Sequence, residues 1–321
     1  MSRQRIAEEA RAATDGNDAR RRVLAGAPVT ERRVELAGVS TALLESGEGP
    51  PVVLLHGQGG WSGMWLPFVG DLGTTHRVIA ADLPGLGASE VPDGPPDAAR
   101  VLAWLGELIQ RTCQAPPALV GASLGASIAA RFAIARPDRL SRLVLVAAGS
   151  LGRFRPAPAV LLALVRFIAR PSERTQQAFL RQVVVDPATV RALMGERWEP
   201  SQAYGLERAR TPSVRAANRR MLRELGTRTI PPEELARIAV PTSLIWGRQD
   251  RVMRLRIAEA ASARYGWPLH VIEDAGHFAI EQPEAFWAAL RATLDLADDK
   301  PSQEVPPGRQ GGGDSRRRAK R

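Results

Sequence analysis

An α/β fold is what this sequence predicts, with a mostly parallel central sheet flanked by helices and an inserted helical cap, and three observations predict it. Short apolar runs (PPVVLLHG, PALVGAS, RLVLVAAGS, PTSLIWGRQD) alternate with stretches of helical spacing. The runs lack polar alternation, as strands covered on both faces do. One segment, about 151–238, interrupts the alternation and is helical in period throughout. At 321 residues and 44% hydrophobic content the chain can fill a sizeable interior.

Taken in order, ERRVELAG and STALLESG read as an opening hairpin, PPVVLLHG as a buried strand, GMWLPFVGDL as a helix and HRVIAADLPG as a strand. AARVLAWLGELIQR repeats its apolar residues three and four apart, the mark of an amphipathic helix. PALVGAS is the next strand, ASIAARFAIARP the helix after it, and RLVLVAAGS a further strand. Beyond the break come the strand PTSLIWGRQD, a helix from about Leu255 to Tyr265, the strand PLHVIEDAGH and a last helix through AFWAALRATLDL. The break carries turn signals of its own at Pro156, Pro171, Pro200, Pro212 and the pair 231–232. These readings divide the chain into a basic, partly disordered N-terminal extension (1–30), an α/β core (31–150 and 239–297), the helical cap (151–238) and a disordered basic tail (298–321).

The net charge of +10 is unevenly spread. Residues 151–238 carry 16 Arg against 8 Asp and Glu, a net +8, whereas 34–150 and 239–297 are both slightly acidic. The basic stretches lack the repeated aromatic interleaving of a single-strand binding platform, and no duplex-reading motif is recognised, so a nucleic-acid partner is not expected. The tail PSQEVPPGRQGGGDSRRRAKR has too few apolar residues to bury and reads as a solvated charge run. The longest apolar run, AVLLALVRFIA, is about half the length a bilayer crossing needs and contains Arg166, so no stable membrane insertion is expected. The first 22 residues lack the apolar stretch of a secretory signal, and their acids argue against a mitochondrial presequence; the expected location is cytoplasmic. The single cysteine, Cys113, is expected to be a packing residue.

The stretch GASLG, 121–125, sets a serine where a strand turns into a helix. A G-x-S-x-G turn there forces strained backbone angles on Ser123, so Gly121 and Gly125 must lack bulk. A serine nucleophile needs a base, and a third group to fix that base's tautomer. The chain has four histidines. His76 precedes a strand, His270 lies inside one, and His56 precedes the serine and is tied to its own loop. His277 follows the last strand, in DAGHFAIEQPE, at the edge where a parallel sheet gathers its chemistry. The orienting acid should also leave a strand end, which places Asp250 first. Asp82 leaves a strand into a Pro-Gly turn and reads as a cap for backbone amides. Glu273 and Asp274 are too close to His277 in sequence to reach its ring easily.

With HGQGG (56–60), DLPGLGAS (82–89), GASLG, WGRQD (246–250) and GHFAIEQPE (276–284) in this order, the sequence resembles the α/β-hydrolase fold family over about 34–297, in its serine-nucleophile, esterase- or lipase-like branch with a helical cap. The resemblance implies an oxyanion hole made by the backbone N–H groups of Gln58 and Leu124. Two preplaced amides suit the charge that a tetrahedral intermediate concentrates on one oxygen. Haloalkane dehalogenases and epoxide hydrolases resemble the chain in fold but carry aspartate at the elbow, which argues against those activities; haloperoxidase or perhydrolase relatives share the serine triad. The expected function is hydrolysis of carboxylic esters through an acyl-enzyme, with Ser123, His277 and Asp250 as the triad and no metal or cofactor. The alternatives are a C–C bond hydrolase of ring-fission products on the same triad, and a non-catalytic ligand-binding member of the fold. The expected substrate is a small-molecule ester, hydrophobic or anionic, held in a hydrophobic pocket with AVLLALVRFIA over the serine and with Trp61 and Trp65 as candidate lining. A basic cap over such a site would concentrate anions.

Overall fold

The structure, a computed structural model, describes residues 18–294. The expected tail 298–321 and the first 17 residues lie outside the described residues. Eight strands form one sheet: β1 (Thr30–Leu36), β2 (Val39–Ser46), β3 (Pro51–Leu55), β4 (Arg77–Ala81), β5 (Ala118–Ala122), β6 (Arg142–Val146), β7 (Thr242–Gly247) and β8 (Leu269–Ile272). Their spatial order is β1-β2-β4-β3-β5-β6-β7-β8. β1 pairs with β2, and β2 with β4, antiparallel; the remaining neighbours run parallel.

Apolar strands without polar alternation are buried on both sides here. Val53 and Leu55 of β3, Leu119 of β5 and Leu143 and Leu145 of β6 join one hydrophobic cluster. Their immediate neighbours Val52, Leu54, Val120, Val144 and Val146 join the other, because successive side chains point to opposite faces. Helices cover the two faces. Residues 18–24 form α1, followed by α2 (Leu66–Gly73), α3 (Ala98–Thr112) and α4 (Leu124–Ala135). Between β6 and β7 the chain leaves the sheet for α5 (Pro158–Ala169), α6 (Glu173–Val183), α7 (Pro187–Met194), α8 (Trp198–Arg210), α9 (Pro212–Met221) and the short α10 (Pro232–Leu235). It returns through α11 (Arg256–Tyr265) and α12 (Pro283–Leu294). α3, α4 and α11 pack on the first cluster, and α1, α2 and α12 on the second.

Two local readings differ from expectation, each for a physical reason. The single helix expected over GMWLPFVGDL is a 3₁₀ turn, Ser62–Trp65, followed by α2, because Pro67 has no N–H to donate and fits only the first turn of a new helix. Pro200 does not separate helices but sits in the first turn of α8, where the backbone N–H has no intrahelical acceptor in any case. Within the N-terminal extension, α1 packs against the sheet, with Ala19, Arg20 and Val23 all buried.

Candidate active site

The sheet order reverses beside β3: the chain steps from β3 outward to β4 on one side and to β5 on the other. Loops leaving the carboxyl ends of β3 and β5 therefore flank one crevice, the usual ligand position in an open α/β sheet. The contact between these loops is close. A Cβ placed on Gly57 would lie 3.3 Å from the Cβ of Ser123.

Ser123 joins β5 to α4 with φ 51° and ψ −108°, left-handed backbone that a non-glycine residue adopts only under constraint. The constraint is visible on both sides. A Cβ on Gly121 would lie 2.5 Å from the carbonyl oxygen of Gly125, and one on Gly125 would lie 2.6 Å from the carbonyl oxygens of His56 and Leu55. No side chain fits at either position without moving backbone. The serine N–H donates to the Val146 carbonyl at 2.8 Å, and its carbonyl accepts from the Ser127 N–H at 3.0 Å, which fixes the turn.

His277 Nε2 stands 3.0 Å from Ser123 Oγ, and His277 Nδ1 stands 2.9 Å from Asp250 Oδ2. The other carboxylate oxygen, Oδ1, accepts from the N–H groups of Val252 and Met253 at 2.7 and 2.8 Å. The Asp250 side chain is wholly buried, whereas the imidazole retains 11% exposure. With a carboxylate on Nδ1, the proton of the neutral ring sits on that nitrogen, and Nε2 faces the serine as an acceptor. Leu124 is the first residue of α4, so its N–H has no intrahelical acceptor and lies at the positive end of the helix dipole. Gln58 follows Gly57 in the loop that touches the serine.

The other titratable candidates lie elsewhere. His56 is fully buried; its Nε2 accepts from the Leu83 N–H at 2.9 Å and its Nδ1 donates to the Gly57 carbonyl at 2.8 Å. Burial lowers its pKa against the pull of Asp82, so it stays neutral and ties two loops together. Asp82 accepts from the N–H groups of Ser62 and Ala88 at 2.6 and 2.7 Å, and meets Arg20 Nη1 at 3.0 Å. Burial alone would push its carboxyl up; Arg20, His56 and the two amides outweigh it and hold the group below the usual range. Glu273 pairs with Arg248 at the surface.

The two tryptophans after the HGQGG loop are both largely buried. Trp65 is fully buried and packs toward Phe286, with ring centroids 6.4 Å apart. Trp61 is 8% exposed, held between the edge of Tyr204 at 4.9 Å and the Arg20 guanidinium at 4.5 Å. On α5, Leu161, Leu162, Val165 and Ile168 face solvent, whereas Val160 is buried.

Two residues of consequence are absent from the sequence reading. Arg20 links α1 to Asp82, to Glu31 at 2.8 Å and to the Tyr204 hydroxyl of α8 at 3.4 Å. Glu281 is fully buried and has no cationic partner among the described residues; Oε1 accepts from the Gly276 N–H, and Oε2 from the Val185 N–H at 2.8 Å and the Asp186 N–H at 3.3 Å. Burial pushes its carboxyl up and these N–H donors pull it back. Since the His277 N–H also donates to the Val183 carbonyl at 2.8 Å, the connection between α6 and α7 is stitched to the histidine loop from both sides. Its signal in sequence is an acid inside the apolar run of GHFAIEQPE. Glu281→Gln places an amide NH₂ against one set of N–H donors in either orientation, and should lower the unfolding free energy by about 2 kcal/mol. An unchanged urea midpoint would refute this role.

A sequence profile of the alpha/beta hydrolase family matches residues 52–289. The chain belongs to the alpha/beta hydrolase family. It is 31% identical to a 2-hydroxy-6-oxo-6-phenylhexa-2,4-dienoate hydrolase of Comamonas testosteroni, over 73% of this chain and 84% of that one. It is 28% identical to a pimeloyl-[acyl-carrier protein] methyl ester esterase of Aeromonas hydrophila, over 77% of this chain and 96% of that one. Among solved structures it is similar to a membrane phospholipase A described as a bacterial virulence factor, with 28% identity, a TM-score of 0.71 and coverage of 88% and 91% of the two chains. This alpha/beta hydrolase is therefore an enzyme of the hydrolytic kind, and no described helix is long and apolar enough to cross a membrane.

Proposed function

We propose that the protein hydrolyses carboxylic esters of small molecules through an acyl-enzyme on Ser123. The observation that carries this reading is the continuous chain from Ser123 Oγ through His277 to Asp250, with links of 3.0 and 2.9 Å, at a strained elbow. Ser123 Oγ attacks the ester carbonyl carbon while His277 Nε2 takes the hydroxyl proton. The imidazolium that forms is stabilised by Asp250 Oδ2, which stays ionised. The N–H groups of Gln58 and Leu124 receive the negative oxygen, each contributing about 3 kcal/mol to the barrier reduction. His277 then gives its proton to the leaving alcohol, and a water molecule, deprotonated by the same nitrogen, releases the acid. No step requires a metal or cofactor.

Two similar proteins, the methyl ester esterase and the phospholipase A, are named for ester cleavage, which supports the ester reading. A second reading, cleavage of a C–C bond in a ring-fission product, is favoured by the dienoate hydrolase relative at 31% identity. A substrate that is hydrophobic or anionic suits the net +8 of residues 151–238. Comparing nitrophenyl esters of graded acyl length with a ring-fission dienoate separates the two: the esters should turn over and the dienoate should not. Turnover of the dienoate alone would transfer the triad to C–C chemistry. Failure of a fluorophosphonate to label Ser123 would point instead to a ligand-binding member of the family.

A further inference from the structure

One face of α5 has no protein partner among the described residues. Leu161, Leu162, Val165 and Ile168 are 48, 50, 55 and 40% exposed, and helical spacing places them in one stripe. Elsewhere on the helix Val160 and Ala163 are buried, and Phe167 stacks on Phe179 of α6 at 6.1 Å. Large apolar residues held rigidly together in water mark an interaction surface.

The charges in the chain segment around the stripe are all of one sign. From Gly149 to Ser172 the chain carries four arginines, Arg153, Arg155, Arg166 and Arg170, and no acid. At the foot of α5, Arg153 and Arg155 line a recess of about 250 Å³ together with Arg254, Arg256 and Ile257. A hydrogen bond of 2.9 Å from the Ala157 N–H to the Arg251 carbonyl joins the two segments that supply them. The four recess arginines are exposed, and none has a side-chain ion pair or hydrogen bond among the described residues. Four guanidinium groups around one recess repel each other, and that repulsion is relieved by anions.

We propose that α5 docks peripherally on a membrane surface containing anionic phospholipid. The stripe enters the boundary between headgroups and acyl chains, and the arginine recess takes lipid phosphate groups. With 12 residues the helix is too short to cross a bilayer, so the contact is superficial and reversible. A second copy would place an equal arginine recess against this one, since a two-fold contact matches like with like. Residues 298–321, with seven basic and four acidic groups, also have the wrong sign. The docking concerns where the enzyme sits and is independent of which bond Ser123 cleaves.

The test is cosedimentation of the full chain with vesicles of phosphatidylcholine alone and of phosphatidylcholine mixed with phosphatidylglycerol, at low and high salt. The protein should sediment with the mixed vesicles, far less with phosphatidylcholine alone, and less again as salt rises. R153Q/R155Q should weaken binding to the mixed vesicles about thirty-fold. V165S/I168S should lose binding to both, with circular dichroism showing that each variant is folded. Absence of binding to either vesicle, or binding insensitive to salt and lipid charge, overturns the proposal. So does a dimer in solution that V165S/I168S converts to monomer while vesicles bind neither form. Should V165S/I168S not fold, R153Q/R155Q and the salt dependence of the unaltered protein still decide.

Discussion

Ser123→Ala should give a folded protein whose kcat on a nitrophenyl ester is lower by about 10⁵-fold. The size follows from what the substitution removes: the attacking oxygen, without which His277 has no hydroxyl proton to take and no acyl-enzyme forms. What survives is the residual catalysis of an intact oxyanion site and of substrate binding. The fold should survive because the constraints on the elbow are in the backbone and the flanking glycines. The N–H at 123 still reaches the Val146 carbonyl, and alanine meets the same φ of 51° that serine already tolerates. Only one side-chain hydrogen bond is lost, that to His277, which costs about 1 kcal/mol. The measurement pairs kcat with a urea midpoint. Near-wild-type turnover would mean that another group is the nucleophile, and loss of activity together with loss of folding would leave Ser123 a merely structural elbow residue.

The sheet and its flanking helices were readable in the sequence because their signals are local and strong. A run such as VVLL has no polar face to offer solvent, so it must lie between two covered faces, and its alternate residues do enter the two clusters. The elbow was readable for a similar reason: the glycines two residues to either side of Ser123 answer to backbone only 2.5–2.6 Å from where a Cβ would sit. The meeting of His277, Asp250 and Ser123 was accessible through topology, since each leaves the carboxyl end of a parallel strand. Long-range partners were not accessible. Nothing within the basic segment around Arg20 distinguishes the one guanidinium that is buried against Asp82 from Arg21 beside it, which is exposed. The packing of the two tryptophans after HGQGG depends on Phe286, Tyr204 and Arg20, all distant in sequence. Likewise the period of α5 shows which residues share a face, yet only packing against α6 decides which face is turned outward.

Asp250→Asn should lower kcat by about 10⁴-fold while leaving substrate binding and stability nearly unchanged. The direction follows from hydrogen bonds on the far side of the carboxylate. Two N–H groups, of Val252 and Met253, converge on Oδ1 at 2.7 and 2.8 Å and demand an acceptor there. An asparagine therefore turns its carbonyl oxygen toward them and presents its NH₂ to His277 Nδ1. That nitrogen must then accept, so the ring proton moves to Nε2, and the nitrogen that should take the serine proton faces Oγ as a donor. The imidazole keeps its position and loses its function, which distinguishes this variant from a disordered site. The expected signature is a fall in kcat with KM and urea midpoint close to wild type, and a fluorophosphonate that labels Ser123 far more slowly. A loss of less than about tenfold would show that the Asp250 carboxylate does not set the tautomer and that some other group orients His277.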